Sequence, residues 1–131
     1  MGKTILIVDD DPIVRLMIQK MVHKCDSSVN CHQCDNGAVG LEVLDTLRTA
    51  SSQIVVLLDI NMPVLNGWEF LDGLQKINLD TFTEFGIYLI TSSTDRSDKL
   101  KAQLYPVIKK LYHKPLSKQD IGEMLDFDEK N

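Results

Sequence analysis

The sequence lacks the features that membrane-spanning, disulfide-rich and nucleic-acid-binding proteins need. Its longest apolar stretches, Ile5–Val8 and Ile54–Leu58, are far shorter than the roughly 18 residues of a membrane-spanning helix. Three cysteines are an odd and sparse set, which favours a reducing compartment over a disulfide framework. Only 14 Lys and Arg stand against 19 Asp and Glu, and the resulting net charge of −5 argues against a nucleic-acid partner. The first apolar run leads directly into Asp9–Asp11, unlike a signal peptide, so we expect a cytoplasmic protein.

What the chain does contain is typical of one globular domain. Its 131 residues are 44% hydrophobic and 25% charged, which excludes wholesale disorder. A chain of this length buries roughly two thirds of its unfolded surface, enough for a core without metal or disulfide cross-links. We therefore expect residues 1–131 to form a single domain.

The cysteines raise the question of a zinc site. Cys31, His32 and Cys34 lie close together in the sequence, with His23 nearby. However, the segment Val29–Cys34 is typical of a short strand, whose side chains alternate between the two faces of a sheet. Cys31 and Cys34 would then point in opposite directions and could not bind one ion. We expect buried or half-buried thiols instead.

Strand-like and helix-like segments alternate along the chain. The predicted strands are Thr4–Val8, Val29–Cys34, Ile54–Leu58, Gly86–Ile90 and Ile108–His113. Helical spacing of apolar residues follows each strand: Ile13, Val14, Met17, Ile18, Met21 and Val22; Ala38, Leu41, Leu44 and Leu47; Trp68, Phe70, Leu71 and Leu74; Leu100 and Leu104; Ile121, Met124 and Leu125. The predicted helix starts are Asp11 with Pro12, Asn36, about Asp95 and Ser117. Repeated β–α units of this length predict an α/β fold, a mostly parallel sheet with helices on both faces.

In such sheets, binding sites lie beyond the carboxyl ends of the strands. The polar residues at these ends are Asp9–Asp11, Asp35, Asp59, Thr91 and Lys114. Asp59 is the most informative of them, because it ends the most apolar strand. If the first and third strands are neighbours, Asp9 and Asp10 lie beside Asp59. Like charges about 4 Å apart repel by roughly 4 kcal/mol at an effective dielectric constant near 20, so this cluster needs a cation.

The residue types suggest which chemistry the pocket performs. A site built only from oxygen ligands suits Mg²⁺ better than zinc. The Thr91 hydroxyl and the Lys114 ammonium are groups that stabilise phosphoryl oxygens. A carboxylate that attacks phosphorus forms an aspartyl phosphate. The pattern therefore predicts Mg²⁺-assisted phosphorylation of Asp59.

Four short motifs, in order and each at a strand end, resemble those of bacterial response-regulator receiver domains over essentially the whole chain. They are Ile5–Asp11, Leu58–Pro63 followed by Gly67, Leu89–Ser92 and His113–Leu116. The resemblance implies a flavodoxin-like, doubly wound sheet of five parallel strands in the order 2-1-3-4-5.

The resemblance also implies a role for each acidic residue of the pocket. Asp59 would be the phosphoacceptor, and Asp10 and Asp59 would bind Mg²⁺ directly. Asp9 would act through metal-bound water, and Asn61 would offer its backbone carbonyl. Asn61 and Ser93 also occupy the two variable positions that commonly tune phosphoryl lifetime in this family.

For the other end of the pocket, the resemblance implies that Thr91 bonds a phosphoryl oxygen and that Lys114 pairs with the phosphoryl group. The Lys114–Pro115 peptide bond would be cis. The family usually has Tyr or Phe three residues before this lysine, where the chain has Leu111, so an aromatic switch is in question and Tyr112 is an uncertain substitute. Tyr105–Val107 replaces the usual small-residue turn, which suggests a differently shaped output face between the fourth helix and the last strand.

The function expected from the resemblance is that of a stand-alone receiver. A sensor histidine kinase or phosphotransfer protein would phosphorylate Asp59, and the modified surface would bind an unknown downstream protein, with no nucleic acid or membrane involved. The chain would not be an enzyme apart from catalysing its own phosphorylation and dephosphorylation. Two alternatives stay open: a Mg²⁺-dependent phosphatase with an aspartyl nucleophile, which usually has a second Asp where this chain has Asn61, and a phosphate-independent interaction module.

Overall fold

The computed structural model describes residues 3–47, 53–62, 64–74, 76, 84–92 and 96–125. Strands and helices alternate along the chain. In order they are β1 (Lys3–Val8), α1 (Pro12–Cys25), β2 (Asn30–Cys34), α2 (Gly37–Leu47), β3 (Gln53–Asp59), α3 (Gly67–Leu74), β4 (Glu84–Thr91), α4 (Arg96–Ala102), β5 (Ile108–His113) and α5 (Lys118–Leu125). The five predicted strands are confirmed, with β4 beginning two residues earlier than predicted.

All strand pairs are parallel, and the sheet order is β2-β1-β3-β4-β5. The most apolar strands, β1 and β3, pair at the centre and are buried along almost their whole length. Both faces of these strands are buried, so the side chains pointing to either face are apolar, and this explains the continuous apolar runs. The predicted flavodoxin-like fold is confirmed.

Apolar side chains pack in one layer on each face of the sheet. The layer beneath α2 and α3 contains Leu58 and Phe70. The layer beneath α1 and α5 contains Leu57 and Ile18. Neighbouring residues of β3 thus support opposite layers, and burying each of these side chains contributes roughly 1.5–3 kcal/mol.

The helix starts follow the predicted capping residues. The Asp11 carboxylate accepts hydrogen bonds from the Ile13 and Val14 backbone N–H groups. The Ser117 hydroxyl oxygen accepts a bond from the Asp120 N–H, and the Asp120 carboxylate accepts one from the Ser117 N–H. These bonds satisfy N–H groups that have no partner inside the helix. The predicted start at Asp95 lies outside the described residues.

Several apolar residues on the predicted helical faces are exposed rather than buried. In α1, Ile18 and Val22 are buried, but Ile13 and Met17 are 67% and 53% exposed. Ala38 in α2 is also exposed. The reason is geometric, because a packed helix buries a stripe only about 100° wide. Ile13 and Met17 lie outside the stripe of α1 that contains Ile18 and Val22.

Cys31 and Cys34 lie as predicted, on opposite faces of the sheet. Cys34 is buried in the layer beneath α2 and α3, whereas Cys31 packs against the opposite layer. They cannot bind the same ion. Burial raises the pKa of each of these thiols to about 11, while Cys25 is exposed.

Candidate functional site

Polar residues follow four strands at the carboxyl edge of the sheet. Asp9 comes directly after β1, Asp59 ends β3, Thr91 ends β4 and Lys114 follows β5. Parallel pairing brings these ends together: Asp59 pairs with Ile90, the residue before Thr91. The Lys114 N–H donates to the Thr91 carbonyl at 2.8 Å, which ties the last strand end to its neighbour.

Three carboxylates converge at this edge. One oxygen each from Asp9, Asp10 and Asp59 lies within 4.8 Å of the others. Asp9 is fully buried and Asp59 is 3% exposed, whereas Asp10 is exposed. This cluster is the one predicted from the adjacency of the first and third strands. The cluster has a buried inner side and an open outer side at Asp10.

Lys114 reaches into the cluster. Its Nζ lies 2.9 Å from Asp9 Oδ2 and 3.4 Å from Asp59 Oδ2. Burial alone would lower the pKa of Lys114, but contact with the carboxylates of Asp9 and Asp59 outweighs it and the pKa is raised. The lysine therefore stays charged and neutralises part of the acidic cluster.

Among the carboxyl groups of the described residues, Asp59 is the one whose proton affinity is most changed by its surroundings. Burial, and then the negative charge of Asp9, raise its pKa to about 6, against the opposing effects of Lys114 and of the Asn61 backbone N–H. The Asn61 N–H donates to Asp59 Oδ1 at 3.3 Å. At neutral pH Asp59 is a carboxylate that is more basic than an ordinary aspartate, and this property favours nucleophilic attack.

Asp9 is held in place by its own loop. Its Oδ1 accepts the Asp11 N–H at 2.9 Å, and its backbone carbonyl accepts a bond from Arg15 Nη1 at 2.6 Å. Within the described part of the chain, Asp9 Oδ2 is the only buried side-chain oxygen or nitrogen without a hydrogen bond, since the contact with Lys114 has the distance of an ion pair but not the alignment of a hydrogen bond. Arg15 was not predicted as a site residue, because no local sequence pattern indicates that its side chain folds back onto Asp9.

The loop after β3 depends on a glycine. The Gly67 N–H donates to the Ile60 carbonyl at 2.8 Å. A Cβ added at Gly67 would lie 2.9 Å from Ile60 Cα and 3.0 Å from the Asp59 carbonyl oxygen. Only glycine, which has no Cβ, lets the start of α3 approach the backbone of Asp59 and Ile60 this closely. Gly67 belongs to one of the four motifs, but the motif by itself does not predict this steric requirement.

Other predicted residues are distributed as follows. Thr91 is fully buried at the end of β4, and the Asn61 side chain is exposed. The Lys114–Pro115 peptide bond is cis, as expected. Ser93 lies outside the described residues.

The two candidate switch residues on β5 face opposite layers. Leu111 packs against the layer beneath α2 and α3, and Tyr112 against the layer beneath α1 and α5. The Tyr112 hydroxyl donates to Glu123 Oε1 in α5 at 2.9 Å, and burial raises the pKa of Tyr112. Tyr112 thus tethers β5 to α5 and does not replace an aromatic residue at position 111.

The residues at this edge fit a hard divalent cation. The candidate ligands are oxygens of Asp9, Asp10 and Asp59, the chemistry that Mg²⁺ prefers, and the open side leaves room for water ligands. Asp9 Oδ2 is buried and lies 2.9 Å from Lys114 Nζ, so a single lysine faces the three carboxylates. Without a cation, these three carboxylates would carry more negative charge than Lys114 alone can balance.

Comparison with known proteins identifies the family. The family model of the response regulator receiver domain matches residues 5–126. The chain belongs to this family, whose members act in two-component signalling.

Solved structures share the fold along the whole chain. A two-component response regulator from Cytophaga hutchinsonii is 24% identical, with 98% of each chain covered and a TM-score of 0.85. The chemotaxis protein CheY4 of Vibrio cholerae is 21% identical, with 96% of this chain and 98% of that chain covered and a TM-score of 0.78. At these identities the likeness shows the fold alone.

A curated relative matches over part of its length. The nitrate/nitrite response regulator NarL of Escherichia coli is 33% identical over 76 residues, which make up 58% of this chain and 33% of NarL. The match spans about a third of that relative. Among the residues that the structure describes, no helix is long and apolar enough to cross a membrane.

Proposed function

We propose that this receiver domain is a phosphoacceptor and that Asp59 is the residue phosphorylated. The observation that carries the proposal is the buried Asp59 carboxylate, 3.4 Å from Lys114 Nζ and clustered with Asp9 and Asp10. A structural ion pair would need one acid for one lysine. Here three carboxylates surround one lysine, and such a surplus of negative charge is typical of functional sites.

The proposed reaction is a phosphoryl transfer from a phosphohistidine donor. A carboxylate oxygen of Asp59 forms a bond to phosphorus, the bond between phosphorus and the donor nitrogen breaks, and its electron pair stays on that nitrogen. Because the pKa of Asp59 is about 6, the nucleophile is ionised at neutral pH. Lys114 would then pair with the phosphoryl oxygens, and the Thr91 hydroxyl would donate to one of them.

Mg²⁺ is the proposed cofactor. Asp10 and Asp59 would bind it directly, Asp9 through water, and Asn61 through its backbone carbonyl. The ion would neutralise charge on the phosphoryl oxygens. Asp9, held by the Asp11 N–H and by Arg15, would keep a fixed acceptor for metal-bound water.

The proposed partners are a sensor histidine kinase or phosphotransfer protein as the donor and a downstream protein as the target, in the cytoplasm. Phosphorylation adds about −1.5 to −2 charge and three acceptor oxygens. Thr91 and Lys114, at adjacent strand ends, would move toward that charge and change the surface near β4 and β5. We propose that residues 1–131 act in this way as a receiver whose output passes through the target protein.

Phosphorylation with acetyl phosphate tests the proposal. Incubation with acetyl phosphate and Mg²⁺ should add one acid-labile phosphate, detected by intact-protein mass spectrometry, and EDTA should prevent it. Asp59→Asn should abolish the modification. Asp35→Asn is the matched control, because Asp35 also follows a strand but is exposed and outside the carboxylate cluster.

Two results would contradict the proposal. Full labelling of Asp59→Asn would place the phosphate elsewhere. Sustained turnover of a generic phosphate ester by the unmodified chain would instead support an aspartyl-nucleophile phosphatase.

A further inference from the structure

Arg15, on α1, links the end of β1 to β2 beside the carboxylate cluster. Its Nη1 donates to the Asp9 backbone carbonyl at 2.6 Å, and its Nε donates to Gln33 Oε1 on β2 at 3.2 Å. The guanidinium group is planar and rigid, so the bond to Gln33 restricts the direction in which Nη1 points. Both bonds go to neutral groups. Arg15 is therefore placed to orient the backbone rather than to neutralise a carboxylate.

The backbone of Asp9 is held from two directions. Its N–H donates to the Cys34 carbonyl at 3.1 Å, and its own carbonyl accepts the bond from Arg15. Gln33 directly precedes Cys34 in β2. One end of β2 thus supplies both the acceptor for the Asp9 N–H and the anchor for the Arg15 side chain, and these contacts close a ring around the Asp9 backbone.

The bond to the Asp9 carbonyl affects the next residue, Asp10, most directly. This carbonyl belongs to the peptide unit that joins Asp9 to Asp10, and because a peptide unit is planar, its orientation sets the position of Asp10. The Asp9 side chain is buried and contacts Lys114 and the Asp11 N–H. The Asp10 side chain is exposed, so packing does not fix it. Its place in the cluster depends on the backbone that carries it.

We propose that Arg15, anchored by Gln33, is a positioning residue that holds Asp10 where it can bind Mg²⁺. Arg15 would act through the peptide unit between Asp9 and Asp10 and would not touch the ion. The inference deepens the proposed function and rests on it, because it requires the carboxylate cluster to bind Mg²⁺.

Two other roles of Arg15 predict different results. If Arg15 acted only as a nearby cation, it would oppose Mg²⁺, and removing its charge should tighten Mg²⁺ binding. If it only joined α1 to β2, its removal should lower the stability of the fold and leave the affinity for Mg²⁺ unchanged. The positioning role is the one that predicts weaker Mg²⁺ binding after the loss of a positive charge.

Mg²⁺ titrations without a phosphoryl donor test the proposal, with the dissociation constant taken from NMR shifts of the backbone amides of residues 9–11. Arg15→Met should weaken Mg²⁺ binding by roughly tenfold, as expected when a group that orients a metal ligand is lost. Arg15→Lys keeps the charge but cannot donate in two fixed directions, so it should weaken binding to a smaller extent. Lys20→Met is the matched control, because Lys20 is an exposed cation of the same helix, and it should change the affinity by less than about twofold.

Variants of Gln33 test the anchor separately. Gln33→Leu should weaken Mg²⁺ binding by about threefold, because it releases one end of the Arg15 side chain. Combined with Arg15→Met it should weaken binding no further, since Gln33 acts only through Arg15. Gln19→Leu is the control, because Gln19 accepts a bond from Gln33 Nε2 at 2.7 Å and lies one contact further from Asp9. It should change the affinity by less than about twofold.

The rate of phosphorylation by acetyl phosphate gives a second readout. Arg15→Met should be slow at low Mg²⁺ concentration and approach the wild-type rate at saturating Mg²⁺, because the defect lies in the affinity for the ion. A general loss of structure would instead lower the rate at every Mg²⁺ concentration and would appear in urea unfolding.

Unchanged or tighter Mg²⁺ binding by folded Arg15→Met would overturn the inference, and so would additive weakening in the double variant. If Arg15→Met does not fold, wild-type affinity in both Arg15→Lys and Gln33→Leu would overturn it equally. These results would leave Asp59 as the proposed phosphoacceptor. A wild-type chain that binds no Mg²⁺ would instead refute the proposed cofactor and this inference together.

Discussion

Replacing Asp59 with asparagine should stabilise the protein at neutral pH in the absence of metal. Asp59 is 3% exposed and lies beside the buried carboxylate of Asp9. Asparagine has nearly the same shape and can still accept the Asn61 N–H bond through its carbonyl oxygen. The substitution therefore removes a buried charge while keeping the packing.

The pKa of Asp59 sets the magnitude. Its rise from 3.8 to about 6 corresponds to about 3 kcal/mol of free energy that disfavours the ionised form in the folded state. Because the folded pKa is higher than the unfolded one, the folded state binds the proton more tightly. The contribution of Asp59 to the stability of the wild type should fall as the pH rises from about 4 to about 6 and then level off. The advantage of Asp59→Asn should thus be near zero at pH 4 and reach about 2–3 kcal/mol above pH 6.5.

Urea unfolding in EDTA at a series of pH values measures this difference. Glu42→Gln is the control, because Glu42 is an exposed carboxylate on α2, and it should change stability by less than about 0.5 kcal/mol at every pH. Added Mg²⁺ should stabilise the wild type and narrow the gap, because only the wild type keeps the Asp59 carboxylate.

A pH-independent advantage of Asp59→Asn would refute the reasoning, since the effect would then come from packing or hydrogen bonding and not from ionisation. A destabilised variant at pH 7 would refute it more strongly. It would mean that the contact between Asp59 and Lys114 outweighs burial and the repulsion from Asp9.

Two further predictions concern the backbone around the site and the tether on β5. Gly67→Ala should destabilise the protein by roughly 1–3 kcal/mol in urea unfolding, because its Cβ would meet backbone atoms. Gly122→Ala should stabilise it by roughly 0.5–1 kcal/mol, because a Cβ there meets nothing within 4 Å in the middle of α5; equal effects of the two variants would contradict the steric argument. Tyr112→Phe should raise the pKa of Glu123 toward its usual 4.5, as followed by NMR titration, because the Tyr112 hydroxyl bond is the main influence that lowers it. An unchanged pKa would exclude the tether in solution.

The order of elements and the composition of the site were predictable from local pattern. Continuous apolar runs such as Ile54–Leu58 predict strands covered on both faces, and Asp59 ends the strongest of them. Strand alternation also placed Cys31 and Cys34 on opposite faces, because that rule depends on sequence separation alone. The carboxyl ends of parallel strands share one edge, so the acidic pocket followed once the neighbours of β1 were assumed.

Helical periodicity was a weaker guide to burial. It marked Ile13 and Met17 as well as Ile18 as apolar positions of α1, but only Ile18 is buried. Periodicity reports which residues share a face, whereas the width of the covered stripe depends on the elements that pack against it. The same limit applies to Leu100, which is 63% exposed on a helix that buries none of its residues over its described range.

The sequence by itself determined which residue types stand at each strand end, and with them an all-oxygen acidic pocket with a lysine. Only the tertiary structure decided how those groups interact: that Lys114 Nζ lies within 3.4 Å of both Asp9 and Asp59, and that Arg15 folds back onto the Asp9 carbonyl. The raised pKa of Asp59 belongs to the same class of property. It depends on burial and on charges contributed by segments about 50 residues away on either side, distances along the chain over which local sequence carries no information about separation in space.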